Sequence, residues 1–279
     1  MHRRPHLRTP LALGVVLASL VASTPAASAD TGPRHVPAPA RVAVLGDSIS
    51  RGFDACSVLQ DCPEVSWSTG SVPAVQSHLA RIAALNPAVQ PVNAAFTGAR
   101  ASALLPQARA AVQQGADYVE VLIGANDACA PSEAAMTPVA TFRTQVASAF
   151  AALRGTRVFV ASVPDVRKVW QVAHTTPAAA LVWSTFGLCQ SMLANPTSTA
   201  PADADRRARV RQRIQDYNTV LRQECAALPT CRYDHGTVFK TDYALADLSP
   251  IDYYHPSVSG QARLSANTWP ETWKFQPVG

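Results

Sequence analysis

The chain has 279 residues, of which 48% are hydrophobic and 15% charged, with 13 Gly, 22 Pro and a formal net charge of +5. This is the composition of a folded globular protein, and it excludes disordered, collagen-like and coiled-coil chains. The length suits one large domain or two small ones, and no internal repeat divides it.

Arg3, Arg4 and Arg8 precede an apolar run from Leu11 to Ala22, and Ala27-Ser28-Ala29 supplies small residues at a cleavage position. The pattern predicts a secretory signal peptide over residues 1–29, cleaved near Ala29/Asp30. Its apolar run is too short to span the ~30 Å core of a bilayer, so no integral membrane segment is expected. Cleavage removes three Arg and no acid, which lowers the net charge from +5 to +2. Little charge is then left to favour a nucleic-acid partner. The basic run Arg206 to Arg213 reads as a solvated helix face, with Val210, Ile214 and Tyr217 on its apolar side.

Residues 30–40 are Pro-rich and aperiodic, a mobile leader ahead of a single domain over residues 41–279. Strand and helix patterns then alternate. Strands are predicted at 41–45, 90–93, 118–123 and 157–162, and helices at 72–85, 101–114, 137–153, 203–227 and 257–269. Residues 166–202 carry no clear period, yet their Trp170, Trp183, Phe186 and Leu188 suit a cover over a site edge or a plain surface insertion. The alternation predicts a three-layer α/β/α sandwich with a central parallel sheet, and such sheets bind ligands at the carboxyl ends of their strands.

Polar residues gather at those ends. The first strand runs into Gly46-Asp47-Ser48, the third into Gly124-Ala125-Asn126-Asp127 and the fourth into Val163-Pro164-Asp165. A serine needs a base within hydrogen-bond reach to act as a nucleophile. Of the histidines, His35 lies in the leader, His78 on a helix face and His174 in the unpatterned stretch. His255 has Asp252 three residues before it and Pro256 after it, which suits a carboxylate accepting from Nδ1 while Nε2 stays free. His235, preceded by Asp234, is the rival base. Asn126, the Ser48 N–H and the backbone at Gly98 are candidate donors to an oxyanion. Asp47, Asp127 and Asp165 read as turn-stabilising side chains rather than as a glycosidase carboxylate pair.

Six Cys in an exported chain imply disulfides. Cys56/Cys62 and Cys225/Cys231 each enclose five residues, which favours local loops and leaves Cys129 for Cys189. A zinc site is the alternative, but no C-x(2–4)-C pair is present.

Four blocks in order, Gly46 to Ser50, Asn93 to Gly98, Gly124 to Asp127 and Asp252 to His255, resemble those of the SGNH hydrolases, the GDSL esterase/lipase family. The resemblance covers about residues 41–270, with Ile49 where many relatives carry Leu. It implies a flavodoxin-like fold, Ser48 as nucleophile, His255 as base, Asp252 as third triad member, and Ser48, Gly98 and Asn126 as oxyanion-hole donors. The stretches Cys56 to Gly70 and Tyr118 to Cys129 are similar to bacterial phospholipase B-like members, which tilts the expected substrate toward lipid or lysophospholipid esters. The expectation is a secreted, monomeric serine esterase or lipase acting on a small-molecule or lipid ester, with no cofactor and no metal. A polysaccharide-deacetylating esterase is the alternative, and a secreted binding module of the same fold is the third reading.

Overall fold

The structure, a computed structural model, describes residues 1, 2 and 36–278. The predicted signal peptide beyond its first two residues, with its cleavage site, and the leader up to His35 lie outside the described residues.

In chain order the elements begin with β1 (Val36–Pro37), β2 (Arg41–Gly46), α1 (His78–Ala83), β3 (Gln90–Asn93) and α2 (Leu104–Gln113). Next come β4 (Tyr118–Leu122), α3 (Ala125–Ala128), α4 (Val139–Ala152) and β5 (Arg157–Val160). α5 (Val166–Ala173), α6 (Pro177–Thr185), α7 (Gln190–Leu193) and α8 (Pro201–Ala226) follow without an intervening strand. The chain closes with β6 (Cys231–Tyr233), α9 (Thr237–Lys240), α10 (Val258–Thr268) and β7 (Phe275–Gln276).

Five parallel strands form the central sheet in the order β3-β2-β4-β5-β6. Val42 to Leu45, Val119, Val121 and Val158 to Val160 are completely buried, as strands covered on both faces must be. On one side α2, α4 and α8 pack in sequence, with the Phe142 and Tyr217 rings stacked 4.2 Å apart. α1 and α10 meet on the other side at a polar contact. The expected three-layer fold is present. Among the described residues no helix is long and apolar enough to cross a membrane.

Several expectations need correction. The helix predicted over 72–85 shrinks to α1, because Pro73 heads a short 3-10 turn and Gln76 adopts a left-handed φ of 50°. Ser77 then caps α1 by accepting from the Ala80 N–H. His78 does not lie on a helix surface: it is fully buried, 2.6 Å from Glu120 on β4 and 3.0 Å from Thr268 on α10. The unpatterned stretch holds three helices, and β6 completes the sheet edge where no strand was expected. The leader ends earlier than residue 40, since β1 pairs in parallel with β7. All three expected disulfides form: Cys56–Cys62, Cys129–Cys189 and Cys225–Cys231.

Candidate active site

Numbered along the sheet's own strands, the order is 2-1-3-4-5, and the direction of winding reverses between β2 and β4. A crevice opens at the carboxyl ends of strands flanking such a reversal. β2 delivers Ser48 there and β4 delivers Asn126. Gly46 makes the approach possible: a Cβ on it would stand 2.2 Å from the Leu122 carbonyl oxygen of β4. Gln107 of α2 braces the same glycine, donating to its carbonyl and accepting from its N–H. Past Gly46 the chain turns sharply. Asp47 Oδ1 accepts from the Ile49 N–H at 2.9 Å, and the Ser48 carbonyl accepts from the Arg51 and Phe53 N–H groups.

The turn before α10 supplies the base. Asp252 Oδ1 accepts from the backbone N–H groups of Tyr254 and His255 at 2.9 and 3.0 Å, which fixes the carboxylate against its own turn. Its Oδ2 lies 2.5 Å from His255 Nδ1, and His255 Nε2 lies 2.8 Å from Ser48 Oγ. Phe53 and Tyr254 set their ring edges against the imidazole at centroid distances of 5.1 and 5.0 Å. Trp183 of α6 donates from Nε1 to the Asp252 carbonyl. Serine, imidazole and carboxylate are thus brought into one hydrogen-bonded line, and all three are nearly buried. An imidazole held this way can take the hydroxyl proton while its carboxylate keeps the tautomer fixed. His235, the rival base, stacks edge-on with Tyr233 and has no part in this line.

Asn126 borders the same cleft, and its Nδ2 donates one hydrogen to the Ala99 carbonyl at 3.0 Å, leaving the second. Neither the Ser48 N–H nor the Gly98 N–H has an acceptor among the described residues. Gly98 adopts a φ of +82° in an exposed turn next to Ala99, and a Cβ there would meet open space. Its neighbour Ala99 holds Asn126 through the backbone carbonyl.

Walls of the cleft are apolar. Beside Ser48 and His255 stand Ile49, Leu122, Val166, Val169, Val238 and Leu248. Val166 and Val169 come from α5, so the aperiodic stretch forms part of the wall rather than a detached surface insertion.

Burial pushes the Asp252 carboxyl up, but the hydrogen bond and charge of His255, with the two backbone N–H donors, outweigh it and hold the group below the usual carboxylate range. Asp47 behaves oppositely. Burial pushes it up to about 7 against the pull of the Ile49 N–H and the His255 charge. Asp127, also raised by burial, anchors the turn before α2 by accepting from the Ala101 N–H. Asp165 caps α5 and pairs with Arg211. All three acids therefore do the turn-holding work expected of them.

Sequence reasoning missed Asp54. It is buried, and one of its carboxylate oxygens lies within 4.8 Å of ligand atoms of both Asp252 and His255. The chain offers no local signal for it, because the contact joins a loop after β2 to the turn before α10. Among the described residues a second such group is Cys56, Cys62 and Glu64, whose thiols are spent in a disulfide.

The profile of the GDSL-like lipase/acylhydrolase family matches residues 44–263. No curated protein sequence matches the chain. Among solved structures, an acetyl xylan esterase from Geobacillus stearothermophilus is similar at 17% identity and a TM-score of 0.53, covering 88% of this chain and 99% of its own. An extracellular lipase from Streptomyces rimosus is similar at 20% identity and a TM-score of 0.50, covering 83% of this chain and 99% of its own. At such identities the likeness concerns the fold.

Proposed function

Because the chain belongs to the GDSL-like lipase/acylhydrolase family, and so is a hydrolase, we propose that it cleaves carboxylic esters through an acyl-enzyme on Ser48. The observation that carries this reading is the line from Ser48 Oγ through His255 to Asp252, with spacings of 2.8 and 2.5 Å. His255 Nε2 takes the Ser48 proton as Oγ attacks the ester carbonyl, and Asp252 steadies the imidazolium that results. The N–H groups of Ser48 and Gly98 and the remaining amide hydrogen of Asn126 are the donors assigned to the oxyanion. Collapse of the tetrahedral intermediate expels the alcohol, which leaves with the proton from His255. Water then attacks the acyl-serine with His255 as base, and the acid departs as Ser48 recovers its proton. Every step uses groups of the chain itself.

Substrate preference follows from the cleft. Apolar walls beginning at Ser48 suit an acyl chain longer than acetyl, which favours lipid or lysophospholipid esters. Deacetylation of polysaccharide is the second reading, favoured by the fold likeness to an acetyl xylan esterase. A binding module without turnover is disfavoured by the intact line of serine, histidine and aspartate. We assign the protein to the outside of the cell, acting as a monomer. Three disulfides fit an oxidising compartment and the N-terminal sequence fits export.

Hydrolysis of p-nitrophenyl esters from acetyl to palmitoyl, measured beside Ser48→Ala, tests the reading. The expected result is turnover with an optimum above acetyl that disappears in the variant. Activity confined to acetyl esters and acetylated xylan would select the second reading. Turnover that survives in Ser48→Ala would remove the acyl-enzyme.

A further inference from the structure

Asp54 sits where few non-glycine residues sit, at a left-handed φ of 56°. Its loop is held in place from several sides. The Asp54 N–H donates to the Gln60 carbonyl, and the Ser249 hydroxyl donates to the Asp54 carbonyl at 2.6 Å. Cys56–Cys62 closes the loop, and the Arg51–Asp61 ion pair lies across it. The side chain is consequently aimed inward with only 1% of its surface exposed.

One carboxyl oxygen, Oδ1, accepts from the Leu59 N–H at 2.5 Å. The other, Oδ2, is buried and has no donor. A carboxylate oxygen left so would carry the full cost of desolvation. The cost vanishes when that oxygen bears a proton and gives it to an acceptor. Asp252 offers an acceptor: an oxygen of each carboxyl lies within 4.8 Å of the other, beside a ring nitrogen of His255.

We propose that Asp54 is a positioning residue, whose carboxyl donates a hydrogen bond to the Asp252 carboxylate and so sets how strongly Asp252 acts on His255. This rests on the Ser48–His255–Asp252 reading above. The groups facing Asp54 are Asp252 and His255 from the turn before α10; Asp47 reaches the same imidazole from the end of β2, and Arg51 on the loop is taken up by Asp61. Among the described residues that face the Asp54 oxygen, His255 alone becomes a cation, on protonation. Burial and the adjacent Asp252 charge both raise the Asp54 carboxyl above its ordinary range, while Asp252 is held low. A proton between the two carboxyls is favoured on Asp54, whose Oδ2 is buried without a donor, while both Asp252 oxygens already accept hydrogen bonds. The imidazole then feels one negative charge, partly drawn off by the donor, instead of two.

The consequence is a measurable basicity. Removing the donor strengthens the pull of Asp252 on the imidazolium and raises the pH at which His255 becomes a free base. Asp54→Asn keeps a neutral donor of the same shape, whereas Asp54→Ala removes it. NMR titration of His255 and pH profiles of kcat and kcat/KM on a p-nitrophenyl ester are to be compared for the wild type and both variants. In Asp54→Ala we expect the His255 midpoint to rise by about one pH unit and kcat on the acidic side to fall roughly ten-fold, with KM little changed. Asp54→Asn should follow the wild-type acidic limb.

An unmoved midpoint in Asp54→Ala overturns the proposal, and so does an equal displacement in Asp54→Asn. If Asp54→Ala fails to fold, infrared difference spectra of the wild type against Asp54→Asn decide it. A protonated-carboxyl band that is present in the wild type and missing in the variant supports the donor, and its absence from the wild type removes it. A wild type inactive on every ester would sink the ester reading alone, since the His255 titration needs no turnover.

Discussion

Ser48 and His255 meet because two short polar turns, far apart in sequence, end at one sheet edge; what surrounds them decides their behaviour. Asp47 illustrates this. Its Oδ1 is used by the Ile49 N–H, its Oδ2 is buried without a donor, and Asp127 adds a second nearby acid. With its carboxyl pushed up to about 7, the folded protein holds this proton more tightly than the unfolded chain does. Each step of rising pH between about 4 and about 7 therefore favours unfolding through this group, by a few kcal/mol in all. Asp47→Asn keeps an acceptor for Ile49 and cannot ionise. Its melting temperature should gain on that of the wild type as pH rises from about 5 to about 8. Parallel melting curves across that range would show that Asp47 does not titrate there.

At the scale of elements, the tether between Cys129 and Cys189 joins the end of α3, just past Asn126, to the start of α7. Its Cys129 sulfur lies 2.8 Å from the hydroxyl of Tyr254, a residue that also lines the cleft. α5, which supplies Val166 and Val169, is carried by the same tethered stretch. Cys129→Ala/Cys189→Ala should loosen that wall and shift the acyl-chain preference on the p-nitrophenyl series. Unchanged selectivity in the folded variant would show that the wall stands without the tether.

Why some elements were legible and others not follows from the same packing. β2, β4 and β5 are apolar runs that end in turn residues, and a strand buried on both faces leaves such a mark in any sequence. Their ends exposed Ser48, Asn126 and Asp165 to inspection, and the short Asp252–His255 spacing exposed the base. α6 left no comparable mark, since Ala179 and Trp183 are buried while Leu181 and Phe186, equally apolar, face solvent. β6 has only three half-buried residues at the sheet edge. Asp54 and the His78–Glu120 contact owe their character to partners on distant segments, and no local pattern carries that information.

For the whole molecule, the three disulfides differ in how much chain they constrain. Cys129–Cys189 spans a sequence separation of 60, the other two a separation of 6 each. On loop-closure entropy, removing the long link should cost about 4 kcal/mol and either short one about 2 kcal/mol. Urea unfolding of the three double-alanine variants tests the ranking; equal losses would show that the chain constraint is not what these bonds supply.

The pairing of β1 with β7 has a different kind of consequence. Arg157 at the start of β5 donates to the Pro37 carbonyl, and Asp117, just before β4, accepts from the N–H groups of Ala40 and Arg41. Val36 and Phe275 are thus register partners at the amino-terminal edge of the sheet, a strand's length of roughly 15 Å from the carboxyl edge that bears Ser48. An affinity handle, a carbohydrate-binding partner or a surface linker attached after Gln276 would extend away from the cleft mouth. A short peptide joining Gln276 to Val36 would reconnect register neighbours, so this pair is a place to close the chain if new ends are to be opened elsewhere by circular permutation.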